Sequence, residues 1–254
     1  MPQELLTFTE TVRISSLGGA GVGAVVRRAN MLVCAFVLGM AQWDLGRFAR
    51  TAIFFNSPQD ALQRIVSPLT PSREPSQDGL IWDGGAARER LQFGPLDDVV
   101  MGGVSESSFR VAGGVGIFSG KVSTDNNGGF AGCRSKALTP ALKLSGSRGL
   151  TLRVRGDGQR YKFIVRDSLD WNGIAWAQSF DTVAGAQEWQ DVQLPFDAFV
   201  PTLFARRVPG AVLNTNQIST FQLTLSKFEY DSELNPAFSA GPFQLEIERV
   251  ATYQ

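Results

Sequence analysis

The chain of 254 residues carries 24 basic and 24 acidic side chains and no histidine. Balanced charge gives no net field that would attract a nucleic acid, so nucleic-acid binding is not expected. The lack of histidine excludes a Ser-His-Asp triad, a Cys-His dyad and the usual zinc-dependent hydrolases. We therefore predict no catalytic residues and no cofactor. Cys34 and Cys133 lie far apart in unlike surroundings, which favours a reducing compartment over a disulfide framework.

Residues 1–42 are predicted to be a leader or transit-like segment. Arginines and serines are frequent between residues 13 and 28, and no acid occurs from residue 11 to residue 42, as in organelle transit segments. A disordered leader without a targeting role is the alternative. The apolar run at residues 31–41 has about half of the ~20 residues that a membrane-spanning helix needs, so a span is not the preferred interpretation.

Residues 43–66 predict an amphipathic helical segment, because apolar and aromatic side chains recur there at three- and four-residue steps. Pro58 divides the segment into two short helices, with Ser57 as the N-cap and Pro58 at the first helical position. Such an aromatic helix is expected to pack on its own domain. Docking on a partner or a membrane surface is the alternative, and its candidate residues are Trp43, Phe48, Phe54 and Phe55.

Residues 67–79 are rich in proline and serine and are predicted to be a linker, where we place a domain boundary. From residue 80 to residue 254, short alternating apolar runs are separated by Gly, Asn, Asp and Pro, which is typical of β-strands. We expect strands near residues 115–122, 150–154, 161–165, 174–180, 189–194, 221–226 and 243–250. The pattern predicts an all-β antiparallel sandwich of the jelly-roll type.

A glycine-rich block is the least ordinary stretch of the chain. It consists of Asp97-Asp98-Val99-Val100-Met101-Gly102-Gly103-Val104-Ser105, then Ser119-Gly120-Lys121-Val122-Ser123, then Asn126-Asn127-Gly128-Gly129-Phe130, and ends at Arg134. Glycine pairs beside Asp and Asn are typical of tight turns and close backbone approaches. The block therefore predicts a turn, a strand, a second turn and a second strand.

The charged residues of this block allow two interpretations each. Asp97 and Asp98 either cap turns, which we prefer, or bind calcium together with residues 125–127. Arg134 either forms a salt bridge to one of these aspartates, which we prefer, or binds the carboxylate of a ligand. Met101 either fills a gap in the core or, if it is exposed, belongs to a promiscuous protein-binding surface.

Three tryptophans and a pair of arginines raise alternatives outside the block. Exposed tryptophan rings would favour a sugar-binding sandwich, and the candidates are Trp171, Trp176 and Trp189. Arg206 and Arg207 either contact phosphate or an acidic partner, or remain a solvated loop pair. An RNA-associated role would need them to merge with Arg153 and Arg155 into one basic patch.

The motifs at residues 98–105 and 127–130, with Arg134, resemble the CIA30 family, which is named after the complex I intermediate-associated protein of mitochondria. The resemblance extends from residue 80 to the C-terminus, including Phe243-Gln244-Leu245-Glu246-Ile247. It implies a galactose-binding-like sandwich and a non-enzymatic assembly factor or chaperone that binds protein subunits of a membrane electron-transfer complex. The family often has Asn where this chain has Asp97. The partner-binding or family-motif candidates are Asp97, Asp98, Met101, Gly102, Gly103, Ser105, Asn127, Gly128, Gly129, Phe130, Arg134, Arg206 and Arg207.

A second motif extends the resemblance to the helical segment. Trp43-Asp44-Leu45-Gly46-Arg47-Phe48, followed by Phe54-Phe55, is similar to the helix that precedes the domain in CIA30 proteins of cyanobacteria and photosynthetic eukaryotes. Some of those proteins serve photosystem II biogenesis. The resemblance implies a chloroplast protein of the stroma or thylakoid surface, or a cyanobacterial cytoplasmic protein, with the mitochondrion as the alternative. It also allows peripheral membrane association.

Overall fold

The computed structural model describes residues 45–58, 60–62, 70–85, 91–185 and 187–254. The predicted leader at residues 1–42, Trp43 and the side chain of Phe48 lie outside the described residues. Residues Trp43–Gln254 group into one compact unit. Within the described ranges, no helix combines the length and apolar character that a membrane crossing requires.

Helix α1 spans Leu45–Phe55 and is followed by a second helical segment that includes residues 60–62. The Oγ of Ser57 accepts a hydrogen bond from the Asp60 amide at 3.3 Å, and the Asp60 carboxylate accepts one from the Ser57 amide at 2.9 Å. This reciprocal pair is a capping box, with aspartate in the place of the usual glutamate. The predicted N-cap at Ser57 is confirmed, and Pro58 follows it inside the first turn.

Thirteen strands were assigned in the described part of the chain: β1 Leu80–Trp82, β2 Phe93–Pro95, β3 Glu106–Ala112, β4 Val115–Val122, β5 Phe130–Ser135, β6 Gly149–Arg155, β7 Arg160–Arg166, β8 Ala175–Asp181, β9 Gln190–Pro195, β10 Val200–Leu203, β11 Arg206–Arg207, β12 Thr220–Ser226 and β13 Gly241–Tyr253. They form two sheets. The first has the order β3-β4-β13-β6-β9, with β1 also paired to β13, and the second has the order β11-β10-β8-β7-β12-β5-β2. Every strand pair is antiparallel.

The apolar core lies between the two sheets, as the alternating pattern predicts. Tyr161 and Phe163 of β7 point into it from the second sheet, and Phe118 of β4 and Phe243 of β13 meet them from the first. The all-β jelly-roll class is confirmed. Alternation along residues 161–165 predicts one buried and one solvated face for β7. The outer face is covered as well, since Lys162 is only 8% exposed.

The described part of the predicted linker, residues 70–79, is fastened to the sandwich. The Arg73 amide donates to the Ala141 carbonyl at 2.8 Å, and the Lys143 amide donates to the Arg73 carbonyl at 2.6 Å. The Thr252 amide in β13 donates to the Gly79 carbonyl at 2.9 Å. The domain boundary predicted within residues 67–79 is therefore absent from residues 70–79, which belong to the same compact unit as the strands.

Candidate functional site

Asp98 is the centre of the glycine-rich block. It begins a single 3-10 turn, Asp98–Met101, and its side chain has no solvent exposure. The carboxylate accepts hydrogen bonds from the Ser105 amide at 3.0 Å and the Ser105 hydroxyl at 2.7 Å. The amides of Gly129 and Phe130 donate to it at 2.8 and 3.3 Å. One carboxylate thus joins its own turn to the second glycine turn, 31 residues further along the chain.

Asp97 forms a parallel network one residue earlier. It accepts hydrogen bonds from the Ser107 amide at 3.0 Å, the Ser107 hydroxyl at 2.6 Å and the Gly132 amide at 3.1 Å. Arg47 of α1 lies 3.5 Å from its Oδ2. Burial raises the pKa of Asp97 above its ordinary value, although these hydrogen bonds and the charge of Arg47 act in the opposite direction.

The preferred interpretation of the two aspartates is confirmed, since both carboxylates bind backbone amides of turns and strands. Their oxygens are occupied by N–H and O–H donors and so do not form a calcium site. In the described ranges, no group of three or more His, Cys, Asp or Glu side chains could hold a metal ion. The preferred salt bridge from Arg134 to an aspartate is wrong: its Nε donates to the Gln222 amide oxygen at 3.0 Å.

Glycine is required where the backbone approaches Asp98. Gly102 has φ of +87°, which ends the 3-10 turn in the left-handed region. A Cβ on Gly103 would lie 2.3 Å from Asp98 Cγ, and one on Gly128 would lie 2.5 Å from Asp98 Oδ2. The two glycine pairs are therefore structural partners of one buried carboxylate.

The outward side of this block carries apolar and amide groups. Met101 is 63% exposed and Val104 is 43% exposed, while Asn127 is exposed in the second turn. Ser105, Gly128 and the aspartates beneath them are buried. Met101 is thus not a core filler. The alternative given for an exposed methionine, a promiscuous protein-binding surface, stays a prediction.

A cleft opens beside the block, where Arg134 of β5 faces the loop between β7 and β8. The Trp171 ring of that loop lies 4.4 Å from the Arg134 guanidinium carbon and 5.1 Å from the Phe55 ring. Phe54 packs over Gly94, where a Cβ would meet its ring at 2.3 Å. Phe54 and Phe55 therefore contact their own sandwich, as expected for the preferred packing of the helix. Partner docking by this segment stays a prediction.

The aromatic rings that suggested sugar binding are engaged within the protein. Trp176 is 4% exposed, and Trp171 lies between Phe55 and Arg134. The Trp189 ring lies 4.9 Å from the guanidinium carbon of Arg155. Trp171 and Trp189 are half-buried, so none of the three rings is the fully exposed stacking platform that would favour sugar binding.

The two arginine pairs do not merge into one basic patch. Arg206 and Arg207 form β11 at the edge of the second sheet, whereas Arg153 and Arg155 lie on β6 of the first. Arg207 pairs with Asp231 at 2.8 Å. The charges on β6 are also neutralised by nearby acids: Arg153 by Asp191 and Glu248, and Arg155 by Glu246. The arrangement needed for an RNA-associated role is absent from these strands.

Arg47 is a site residue that the sequence patterns did not single out for a role. Besides its ion pair with Asp97, its guanidinium donates to the Ser105 carbonyl, so it joins α1 to the glycine-rich block. The signal was present, because Arg47 belongs to the motif at residues 43–48, which served above only for the resemblance to the helix of photosynthetic CIA30 proteins. Its partner could not be found from sequence spacing, since 58 residues separate it from Ser105.

Comparison with known proteins agrees with this architecture. A family model described as Complex I intermediate-associated protein 30 (CIA30) matches residues 85–247. A protein of Caenorhabditis elegans, named probable complex I intermediate-associated protein 30, mitochondrial, is 28% identical over 156 residues, which are 55% of this chain and 43% of that protein. The chain thus spans less than half of the length of this curated relative.

Among solved structures, the family 11 carbohydrate-binding module of a Clostridium thermocellum cellulase is similar, with a TM-score of 0.50 and 16% identity over 69% of this chain and 94% of that one. The same type of module in complex with a mixed-linked tetrasaccharide gives a TM-score of 0.44 at 16% identity, over 67% of this chain and 95% of that one. At such identity the likeness concerns the fold alone, which is the galactose-binding-like jelly roll. The family model covers more than half of the chain, and the protein therefore belongs to the CIA30 family.

Proposed function

We propose that this protein is a non-enzymatic assembly factor that binds protein subunits during the biogenesis of a membrane electron-transfer complex. The observation that carries the proposal is the family match over residues 85–247, whose glycine-rich block presents exposed apolar side chains on a buried hydrogen-bonded support. The client is of the complex I or NDH type, or a photosystem.

The proposed contact surface consists of Met101, Val104 and Asn127, which lie outward from the Asp98 network. A methionine adapts its shape to different apolar partners at low cost, which suits transient binding of several assembly intermediates. The Asp98 network beneath this surface, in contrast, does not adapt its shape. Because Asp98 holds both turns by hydrogen bonds, the surface stays in one arrangement and little ordering entropy is lost on binding.

Two observations concern the cellular compartment, and they support different ones. The motif at residues 43–48 supports a chloroplast or cyanobacterial setting, with the protein at or near the thylakoid. The name of the Caenorhabditis elegans relative supports the mitochondrion. Crosslinking mass spectrometry on membranes of the source organism separates these alternatives, because the crosslinked subunits identify the complex.

The test is affinity purification of the full chain from those membranes in mild detergent, with Met101→Asp as the disrupting variant. Val183→Asp is the matched control, because Val183 is 59% exposed in a different loop, compared with 63% for Met101. We expect subunits or assembly intermediates with the wild type and the control, and at least about tenfold less with Met101→Asp. Recovery of no such subunits with the wild type would overturn the proposal.

A further inference from the structure

Among the described residues, three basic and two acidic side chains line the cleft beside α1: Arg134, Lys136, Arg166, Asp60 and Asp170. Its cavity volume is about 40 Å³, which is room for about three groups the size of a water molecule. A small trigonal group fits this space, whereas a sugar ring is too large for it.

Two of the basic groups already have partners. Lys136 pairs with Asp60 at 3.3 Å, and Asp60 also closes the capping box of the second helical segment. Arg166 donates to the Gly173 carbonyl at 2.7 Å and is near the charge of Asp170. Both acids of the cleft are therefore committed to other groups than Arg134.

Arg134 is different, since it is 6% exposed and has no acidic partner among the described residues. Its Nε donates to a neutral amide oxygen, and the Trp171 ring covers one face of the guanidinium. Its two Nη groups have no hydrogen-bond acceptor in the described part of the chain. Burial, and then the charge of Arg166, lower the pKa of Arg134 to about 9. A buried charge is costly unless it is paired, so an anion in the cleft would be favoured beside this arginine.

Two further polar atoms in the wall of the cleft are also unsatisfied. Arg166 Nε and Thr220 Oγ1 are buried and have no hydrogen-bond partner among the described residues. Buried polar groups are normally hydrogen-bonded, so these two atoms add polar groups to the cleft wall that are not engaged by the described residues. They lie on β7 and β12, and β12 is the strand between β7 and β5 in the sheet order.

We propose that this cleft binds a carboxylate, which Arg134 receives through its two Nη groups while Arg166 supplies a second positive charge. A guanidinium and a carboxylate are both planar and pair through two parallel hydrogen bonds. The Trp171 ring blocks one face of the guanidinium and leaves its edge open to such a group. The carboxylate comes either from an acidic side chain of a partner protein or from a free small acid.

The test titrates the full chain with sodium acetate at constant ionic strength, and separately with a blocked tripeptide amide that contains one glutamate. The controls are sodium phosphate and the same peptide with glutamine in place of glutamate. Trp171 fluorescence reports binding, and Trp171→Phe identifies its signal. We expect a saturable change with acetate, with the glutamate peptide, or with both, and the more effective of the two identifies the source.

The variants separate this site from general charge effects. Arg134→Gln is expected to weaken binding about 10- to 100-fold, the range for losing charge-assisted hydrogen bonds. Arg207→Gln is the control, because Arg207 also lies over a ring, that of Tyr230 at 5.1 Å, but is paired with Asp231 and Glu233. Should Arg134→Gln fail to fold, Arg134→Lys keeps the charge but loses the bidentate geometry, and we expect about tenfold weaker binding.

Several results would overturn the inference. One is a fluorescence change that does not saturate, or that chloride reproduces. Another is that phosphate or the glutamine peptide binds more strongly than the carboxylate probes, or that Arg134→Lys binds those probes as strongly as the wild type does. The inference does not depend on the proposed assembly role. If the protein binds no carboxylate but complex subunits are recovered with it, only the carboxylate site is refuted. If it binds a carboxylate saturably but no subunits are recovered, only the assembly role is refuted.

Discussion

A Cβ on Gly103 would lie 2.3 Å from Cγ of Asp98 and 2.4 Å from its Oδ1, so the backbone of one residue packs directly against the carboxyl group of the other. Gly128 approaches the second oxygen, where a Cβ would lie 2.5 Å away. Both glycine turns thus converge on one buried anion. The first consequence is that the two halves of the motif are a single structural unit, although two strands, β3 and β4, separate them in the chain.

The substitution Gly103→Ala should destabilise the fold by at least about 3 kcal/mol, because the methyl group would displace a carboxylate that accepts four hydrogen bonds. Gly146→Ala is the control, since a Cβ there meets nothing within 4 Å. Urea denaturation followed by circular dichroism measures both. Equal unfolding free energies for the two variants would show that the backbone relaxes around Asp98 without cost.

Asp98→Asn should cost about 2–5 kcal/mol in unfolding free energy, because either orientation of the new amide places an N–H opposite a backbone N–H donor. Asp97→Asn should cost less than half as much. Burial raises the pKa of Asp97, so its charge carries a desolvation cost, and removing that charge offsets part of the free energy that the lost hydrogen bonds cost. Thermal or urea denaturation at neutral pH ranks the variants, and the reverse order would contradict the assignment of Asp98 as the centre.

Much of the sandwich could be predicted because each central strand shows its own alternating pattern. The strand predicted at residues 150–154 is β6, Gly149–Arg155, and the one at residues 115–122 is β4 with the same bounds. Strands β1, β2, β3, β10 and β11 were missed. Four of them have two to four residues, which are too few to show a period, and in β3 most side chains are exposed, so its sequence shows no buried face. These strands form through pairing with longer neighbours, which no local pattern reveals.

The partners of buried charges could not be predicted for a related reason. Arg134 was expected to meet an aspartate of its own motif, but its strand neighbour is Gln222, 88 residues away. Lys162 alternates with core residues and was expected in solvent, yet a later loop covers it through its carbonyls. In both cases the contact depends on which strands become neighbours, and single-sequence patterns leave that open.

Docking of α1 should depend on Gly94, because a Cβ there would lie 2.3 Å from the Phe54 ring. In Gly94→Ala we expect α1 amides to exchange with solvent at least about tenfold faster, while amides of β7 and β12 keep their protection. Ile53→Ala is the control on the same helix, since Ile53 is 71% exposed. Hydrogen-exchange mass spectrometry measures both variants. Unchanged α1 exchange in Gly94→Ala would mean that Arg47, not the Phe54 contact, holds the helix.

The stability of the protein should rise with pH in the mildly alkaline range because of Lys162. Its ammonium group is covered by a loop, 3.7 Å from the Glu229 carboxylate, and burial lowers its pKa from 10.5 to about 8 although Glu229 acts in the opposite direction. Between these values the unfolded chain binds more protons than the folded one, so the unfolding free energy increases with pH, by about 1–2 kcal/mol between about pH 7.5 and 9.5.

Lys162→Met should flatten this rise, whereas Lys143→Met, which removes a lysine that is 46% exposed, should leave it intact. Urea denaturation across this range tests the prediction, and an undiminished slope in Lys162→Met would assign the effect to another group, of which Arg134 is the next to titrate.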